Sequence, residues 1–543
     1  MPMIPETAVA MLAAARLGAM HVVVFGGFSA AELGTRLNDT SPRVVVTASG
    51  GLEVNKLVEY KPIVDDAIKY VDGPTPKVIV HDRPELRKLG HKPNVPMTKG
   101  RDYFYDDLVA VPKNFQPVAP VPVKGTDPLY MLHTSGTTGK PKGIVRDHGS
   151  AVMMNYTMDA LFDTPAGSTI ACFSDLGWIV GHHYILYAPL VHGNTTVMFE
   201  GKPVRTPDAG AYWRVASEHG ARTIFSAPTA FRAIRKEDAD ASLIKKYDLS
   251  KLKAVFVAGE RCDPSTFDWI QSILPACSVV DNMWMTETGS PILGNPLGIQ
   301  KFKVKPGSAT KPMPGFNLAI ANVDHDHDAS LGERSLELLG DNQEGSLVIK
   351  SPLPPSFMAT IYGDHQRMYD TYFSQVEGHF LTGDSAYRDS DGYYFVMGRE
   401  DDVIKVAGHR LSSGQMEEVL ASHSAVAEAA VIALPDEVKG AVPVGHVVLK
   451  DGWRGDEETL VKELVDLVRE KIGPVAVFKN VVVLKRLPKT RSGKILRKTM
   501  RNLCDTPIEK VKYPPTIDDV AVLAEIAEVY KSKRVGPLWE QKK

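Results

Sequence analysis

Cysteine is scarce: the 543 residues hold four, Cys172, Cys262, Cys277 and Cys504, with no CxxC spacing. That argues against a cysteine-ligated metal centre or a disulfide framework and points to reduced thiols in an intracellular compartment. Their expected role is that of small buried apolar side chains. Net charge is almost absent, at −2, so no global field draws the chain to nucleic acid or to an anionic membrane. Any anionic ligand must be gripped by local cations. No apolar run approaches the roughly 18 residues of a membrane span, and the N-terminus lacks the basic n-region of a signal peptide. Internal repeats and low-complexity tracts are missing too. What remains, 43% hydrophobic and 24% charged, is an ordinary globular composition in a chain long enough for two or more domains.

The chain opens inside an element. Pro5 to Arg16 reads as a helix with proline in its first turn and Val9, Leu12 and Ala13 at helical spacing. Gly18 ends it, and His21 to Phe25 reads as a strand. Short β-branched runs recur at Val44–Val46, Val78–Val80, Thr195–Phe199, Thr223–Phe225 and Ala254–Val257, separated by helical patterns. That alternation predicts an α/β fold of mixed sheets with crossover helices. Residues 83–125, rich in proline and lysine, read as a long surface excursion. The stretch His325-Asp326-His327-Asp328 reads as a solvated turn rather than a metal site, because no partner cluster is spaced to help it. From about Arg399 the character changes. Strands at Val426–Leu434, Val444–Leu449 and Val481–Leu484, with helices at Glu417–Ser422 and Leu460–Ile472, predict a small α+β domain. The expected division is 1–400 and 401–543.

One segment carries chemistry on its face. Thr134 to Gly143 reads TSGTTGKPKG, immediately after the apolar run Leu129-Tyr130-Met131-Leu132. Gly136, Gly139 and Gly143 let backbone N–H groups approach an anion closely. Ser135, Thr137 and Thr138 add hydroxyls, and Lys140 and Lys142 add charge. A Walker A loop, G-x-x-x-x-G-K-[ST], does not fit: Thr134 stands where its first glycine belongs, and Pro141 follows Lys140 where a magnesium-binding hydroxyl is required.

The segment closely resembles the phosphate loop of the adenylate-forming enzymes, and four more segments follow in that family's order. Asp281-Asn282-Met283-Trp284-Met285-Thr286-Glu287-Thr288-Gly289 resembles the adenine-and-magnesium segment. Thr382-Gly383-Asp384 resembles the ribose element. Gly398 to Lys405, with Gly408-His409-Arg410, resembles the hinge-and-arginine segment, and Pro488-Lys489-Thr490-Arg491-Ser492-Gly493-Lys494 resembles the catalytic-lysine loop. The stretches MPMIPE, VVFGGFS, GWIVGHHYILYAPL and SAPTAFRAI resemble the short-chain acyl-CoA synthetases, so the likeness covers nearly the whole chain.

That resemblance implies a large adenylate-forming N-terminal domain, a small mobile C-terminal domain, and ATP, Mg²⁺ and coenzyme A as reactants and cofactor. The loop with Thr134, Ser135, Gly136, Thr137, Thr138, Gly139 and Lys140 would hold the β- and γ-phosphates. Gly259, Glu260, Asp281, Asn282, Trp284 and Thr286 would line the nucleotide site, with Mg²⁺ at Thr286 and Glu287. Asp384 would accept the ribose hydroxyls, Arg399 and Arg410 would add cationic contacts, and Lys494 would act on the charge developing at the α-phosphate. Asp401 maps to the hinge. Ala230, Gly408, His409 and Arg469 match positions that contact CoA. Glu53 and Lys56 stand where acetyl-CoA synthetases carry two arginines for the CoA 3′-phosphate, so half of that grip is missing. Met285 replaces a usual glutamine.

Ile179, Val180, Ala258 and Trp284 would form the acyl pocket, closed by the indole against fatty acids. Acetate-selective relatives carry threonine and valine where this chain has Val180 and Ala258. Both exchanges favour a longer apolar acid, by about 1–3 kcal/mol per methylene. The likeness is greater to propionyl- than to acetyl-CoA synthetases. The expected activity is AMP-forming ligation of propionate, with acetate also accepted. An acetate-preferring enzyme, a ligase for aryl or longer acids, and a truncated non-catalytic relative stand as alternatives. Relatives carry further residues before MPMIPE, so the chain reads as N-terminally truncated, with any targeting segment outside it. The expected compartment is the cytoplasm or mitochondrial matrix, without nucleic-acid or membrane partners, and Lys494 is a candidate for silencing by acylation.

Overall fold

A computed structural model describes residues 1–539 apart from 27, 111–115, 135–141, 324–335, 403, 407–408, 437–438, 491–492 and 515. The side chains of residues 401, 405, 409, 410, 440 and 475 also lie outside that description. The His325–Asp328 stretch and most of the phosphate loop, including Ser135 to Lys140, therefore lie outside the described residues.

Three of the β-branched runs enter the main sheet, the first ending at Val197 rather than Phe199, and two strands not read from the sequence, Thr169–Cys172 and Ser278–Asp281, complete it. Thr195–Val197, Thr169–Cys172, Ala221–Ser226, Ala254–Val257 and Ser278–Asp281 form a five-stranded parallel sheet in that order. Its strands are almost wholly buried, as parallel strands flanked on both faces must be. Val44–Ala48, Lys77–His81 and Asp102–Phe104 form a second parallel sheet. A mixed sheet joins His21–Val22, Pro128–Thr134, Lys142–Asp147 and Thr360–Ile361. An antiparallel sheet orders Glu337–Leu338, Asn317–Asn322, Gly345–Lys350, His379–Arg388 and Tyr394–Arg399.

Beyond Asp402 the strands His409–Leu411, Ile404–Val406, Gly440–Leu449 and Val426–Asp436 form a sheet to which Val481–Leu484 adds in parallel. Helices Ser413–Ser422 and Glu457–Lys471 match the expected ones. Arg497–Asp505 and Ala521–Lys533 complete the region. Two apolar clusters there draw only on residues 404–539. The four cysteines are buried and free. Among the described residues no helix is long and apolar enough to cross a membrane.

Three expectations need correction. The helix Pro5–Arg16 forms, but it buries Thr7 and Met11 while Val9 stays 49% exposed. An alanine-rich helix has too little amphipathic contrast to choose its inner face. The strand after it is two residues long, His21–Val22; Phe25 instead stacks on Trp178 at 5.8 Å. Residues 83–125 are not all excursion: Asp102–Phe104 is a sheet strand. It is anchored where Asp102 meets Lys61 at 2.9 Å and Arg101 at 2.5 Å, a buried ion network that a count of lysines and prolines reads as surface.

Candidate active site

The hairpin that carries the phosphate loop fixes where the loop begins and ends. Pro128–Thr134 pairs antiparallel with Lys142–Asp147, and Thr134 lies opposite Lys142. Its inner strand is buried from Leu129 to Leu132 because it runs through the main core. Thr134 Oγ1 is buried with no hydrogen-bond partner among the described residues. Lys142 is half-buried; its Nζ donates to the Tyr372 hydroxyl at 2.6 Å and stands 4.0 Å from Glu287. Burial pushes the Lys142 ammonium down from its ordinary range. Glu287 opposes that, and Arg367 and Arg399 add to it. Tyr372 donates onward to Glu287 Oε1 at 2.5 Å.

The segment Asp281 to Gly289 leaves the carboxyl end of the edge strand Ser278–Asp281, the place where open α/β sheets bind ligands. Asn282 Nδ2 donates to the Val257 carbonyl at 3.0 Å, tying the segment to the neighbouring strand. Asp281 is buried, and burial drives its carboxyl well above the usual range. Two residues that contact the segment, Arg146 and Tyr372, were not singled out in the sequence. Arg146, fully buried, donates its guanidinium to the carbonyls of Thr286 and Ser356. Gly289 adopts φ +69°, and a Cβ there would fall 2.1 Å from the Ser356 carbonyl and 2.6 Å from the Arg146 guanidinium. Only glycine fits both that conformation and that contact. A lone arginine following the apolar Gly143-Ile144-Val145 was the available signal for Arg146; nothing in the local pattern marks Tyr372.

Asp384 lies on the strand His379–Arg388, opposite Arg399 on the adjoining strand. Arg399 Nη1 stands 3.6 Å from the carboxylate and donates to the Thr382 carbonyl at 2.9 Å. Burial raises the Asp384 pKa to about 6, against the lowering pull of Arg399 and Lys494. The fold by itself therefore favours the protonated form: the ionised carboxylate costs stability as pH rises from the ordinary carboxylate value towards 6.

Lys494 lies in a tight turn. Thr490 N–H donates to the Lys494 carbonyl at 2.7 Å, and Lys494 N–H donates to Thr490 Oγ1 at 3.0 Å. Gly493 sits at φ +89° with Thr229 of the N-terminal region 3.0 Å from where its Cβ would be. The turn thus abuts the large region directly. Asp401 falls in the short turn Glu400–Asp402, which links the antiparallel sheet to the C-terminal one. An ion pair of 2.6 Å, Arg261 to Glu418, ties the two regions together on the same side.

These elements surround one cleft of about 1980 Å³. It is lined by Thr134, Ile179, Val180, Gly259, Glu260, Asp281, Asn282, Trp284, Thr286, Glu287, Asp384, Arg399 and Lys494 of the residues expected from the sequence. Ala258 is buried in the same apolar cluster as Ile179 and Trp284 but does not line the cleft. Trp284 is held edge-on by Tyr184 at 5.4 Å and faces His183 at 6.1 Å. Glu260 accepts from Thr229 N–H at 2.7 Å and from Arg232 at 2.6 Å, so its carboxylate braces the adjoining helix.

Among the described residues, those expected at CoA do not line the cleft. Ala230 packs half-buried against the second core; Lys56 and Arg469 are exposed, and none of the three lines the cleft. Glu53 pairs with Lys202 at 3.1 Å. Gly408 lies outside the described residues. His409 and Arg410 are described by backbone only, paired with Val406 and Lys405.

The metal expectation can be tested on the donor set. Among the described residues no group of three or more His, Cys, Asp or Glu could form an all-protein metal cage. Magnesium in nucleotide sites does not ask for one; one or two carboxylates plus substrate phosphates suffice. Glu287, 6% exposed at the cleft wall beside Thr286, fits that requirement.

With this geometry in view, the comparisons with known proteins agree. The model of the AMP-binding enzyme family matches residues 1–362, and that of the AMP-binding enzyme C-terminal domain matches 415–494. The mitochondrial acyl-CoA synthetase short-chain family member 3 of Mus musculus is 45% identical over 98% of this chain and 75% of its own length. An acetyl-coenzyme A synthetase of Xanthobacter autotrophicus is 39% identical over 98% of this chain and 78% of its own. In fold, the acetoacetyl-CoA synthetase of Streptomyces lividans superposes with a TM-score of 0.81 at 24% identity, covering 98% of this chain and 77% of that one. The chain belongs to the AMP-binding enzyme family, and within it to the short-chain acyl-CoA synthetases. It is accordingly an AMP-forming acid–CoA ligase that works with ATP, Mg²⁺ and coenzyme A.

Proposed function

We propose that the acid is propionate first and acetate second, joined to CoA through a propionyl-AMP intermediate. The observation that carries the reading is the apolar lining of the cleft: Val180 brings no hydroxyl, and beside it the lining includes Ile179 and Trp284, the indole 9% exposed and held by Tyr184. A short apolar tail fits that lining, whereas a chain of many carbons meets the indole. Ala258, behind Ile179 and Trp284, supplies less bulk than valine would.

A carboxylate is already ionised at pH 7 and needs no general base. Its oxygen attacks the α-phosphorus and pyrophosphate leaves. The protein's task is to offset charge and align the groups. Residues 134–140 hold the β- and γ-phosphates, with Lys142 at the mouth of the loop. Thr286 and Glu287 would hold Mg²⁺, which when bound would offset the charge of the phosphate oxygens. Asp384 accepts the two ribose hydroxyls, and Arg399 and Arg410 add positive charge. Lys494 brings its ammonium to the developing charge between acid and α-phosphate. The thiol must then approach from the side the lysine occupied. The region from 401 onward turns about Asp401, which breaks the Arg261–Glu418 pair and withdraws Lys494. Gly408, His409, Ala230, Arg469 and Lys56 serve CoA in that second arrangement.

Turnover measured side by side on acetate, propionate and butyrate tests the acid. The expected ranking places propionate about ten- to a hundredfold above acetate in kcat/KM; acetate ahead of propionate would overturn it.

Asp384 gives a pH test. Its carboxylate must be ionised to accept both ribose hydroxyls, and its pKa of about 6 lies close to working pH. The KM for ATP is expected to rise as pH falls through 6. In Asp384→Asn that limb disappears, and the KM at pH 7.5 is raised by about ten- to a hundredfold, as for loss of a hydrogen bond to a charged group. Initial-rate measurements from pH 5 to 8 on both proteins read this directly.

A further inference from the structure

Tyr372 ends the helix His365–Tyr372, and its ring stacks on Phe380 at 5.1 Å with 6° between planes. The side chain is 4% exposed, so its position is fixed by packing rather than by its hydroxyl. That hydroxyl accepts from Lys142 Nζ at 2.6 Å and donates to Glu287 Oε1 at 2.5 Å. The ammonium also sits 4.7 Å over the ring. Lys142 and Glu287 themselves are 4.0 Å apart, with the phenol between them. Two more cations, Arg367 and Arg399, act on both Lys142 and Tyr372.

The geometry points to Tyr372 as a positioning residue for the triphosphate, keeping Lys142 and Glu287 from closing into a direct ion pair. This rests on the reading of Glu287 as the metal carboxylate. A direct pair would satisfy each charge with the other and withdraw both from the ligand that must engage them. With the phenol between them, one carboxylate oxygen is occupied and the other is left for the metal. The ammonium is held at the mouth of the phosphate loop, within reach of a phosphate oxygen.

Tyr372→Phe removes the hydroxyl and keeps the stacking on Phe380. Binding of ATP is measured by calorimetry with and without Mg²⁺, in the absence of acid and CoA, alongside the Mg²⁺ dependence of acid-dependent ATP–pyrophosphate exchange. Affinity for MgATP and the half-saturating Mg²⁺ concentration are both expected to worsen about tenfold, as for a lost hydrogen bond to charged groups. The exchange rate at saturation stays within about threefold, a KM effect without a kcat effect. Glu287→Gln serves as the reference and is expected to shift the Mg²⁺ dependence further. If Glu287→Gln shifts it and Tyr372→Phe does not, the positioning role is overturned while the metal site stands. An equal loss of ATP affinity with and without Mg²⁺, accompanied by a lowered melting temperature, shows packing alone and also overturns it. If Glu287→Gln leaves the Mg²⁺ dependence unchanged, the metal-site reading fails and the positioning role fails with it.

Discussion

Lys494→Ala is expected to lower acid-dependent ATP–pyrophosphate exchange by about 10²–10³-fold, the usual cost of removing a charge aimed at a developing anion. Thioester formation from supplied propionyl-AMP and CoA should continue near the wild-type rate. The asymmetry follows from the turn that carries the lysine. Its backbone is closed by hydrogen bonds between Thr490 and Lys494, and Gly493 touches Thr229, so the ammonium lines the cleft only while this turn sits against the large region. The side chain itself is exposed, which leaves no packing to lose on truncation. A stability effect is therefore not expected, and the melting temperature should be unchanged. Equal loss in the two half-reactions would show that the lysine is not confined to the first. Acylation of the same amine removes the same charge and should reproduce the variant's pattern.

Trp284→Gly is expected to invert the acid preference. The indole is buried against Tyr184 and His183 and lines the cleft, where the proposed reading makes it the wall that stops the acid's tail. Its removal leaves a cavity continuous with the substrate site, into which a longer alkyl chain can extend. Each added methylene should then gain about 1–3 kcal/mol where it previously met a wall. Hexanoate and octanoate should rise from negligible to measurable turnover, while kcat/KM for propionate falls through loss of contact. Losing a buried aromatic also destabilises the fold, by about 3–5 kcal/mol in a well-packed core, so the comparison is made at a temperature where circular dichroism shows the variant folded. A variant that stays folded and remains closed to longer acids would remove Trp284 from the specificity argument.

Much of the fold was legible because parallel strands are buried on both faces. Runs such as Val78–Val80 and Ala254–Val257 are apolar without alternation and stand out from their surroundings. The active cleft was legible through motifs whose chemistry requires particular residue types at particular places. The failures share a cause, since they concern what tertiary contact decides. The inner face of the helix Pro5–Arg16 was set by what Met11 meets, and a strand at Asp102–Phe104 was held by buried ion pairs. Arg146 and Tyr372, which brace the segment around Glu287 from strands and helices far away in sequence, belong to no motif. Lys56, Ala230 and Arg469, matched to CoA by resemblance alone, do not line the cleft, and no local pattern in the sequence fixes where they fall.

The most direct measurement is ATP–pyrophosphate exchange in the absence of CoA, with the acid as the only variable. Exchange that depends on propionate, exceeds that with acetate and falls about 10²–10³-fold in Lys494→Ala is the expected result. A folded protein that binds ATP yet shows no acid-dependent exchange would contradict the account.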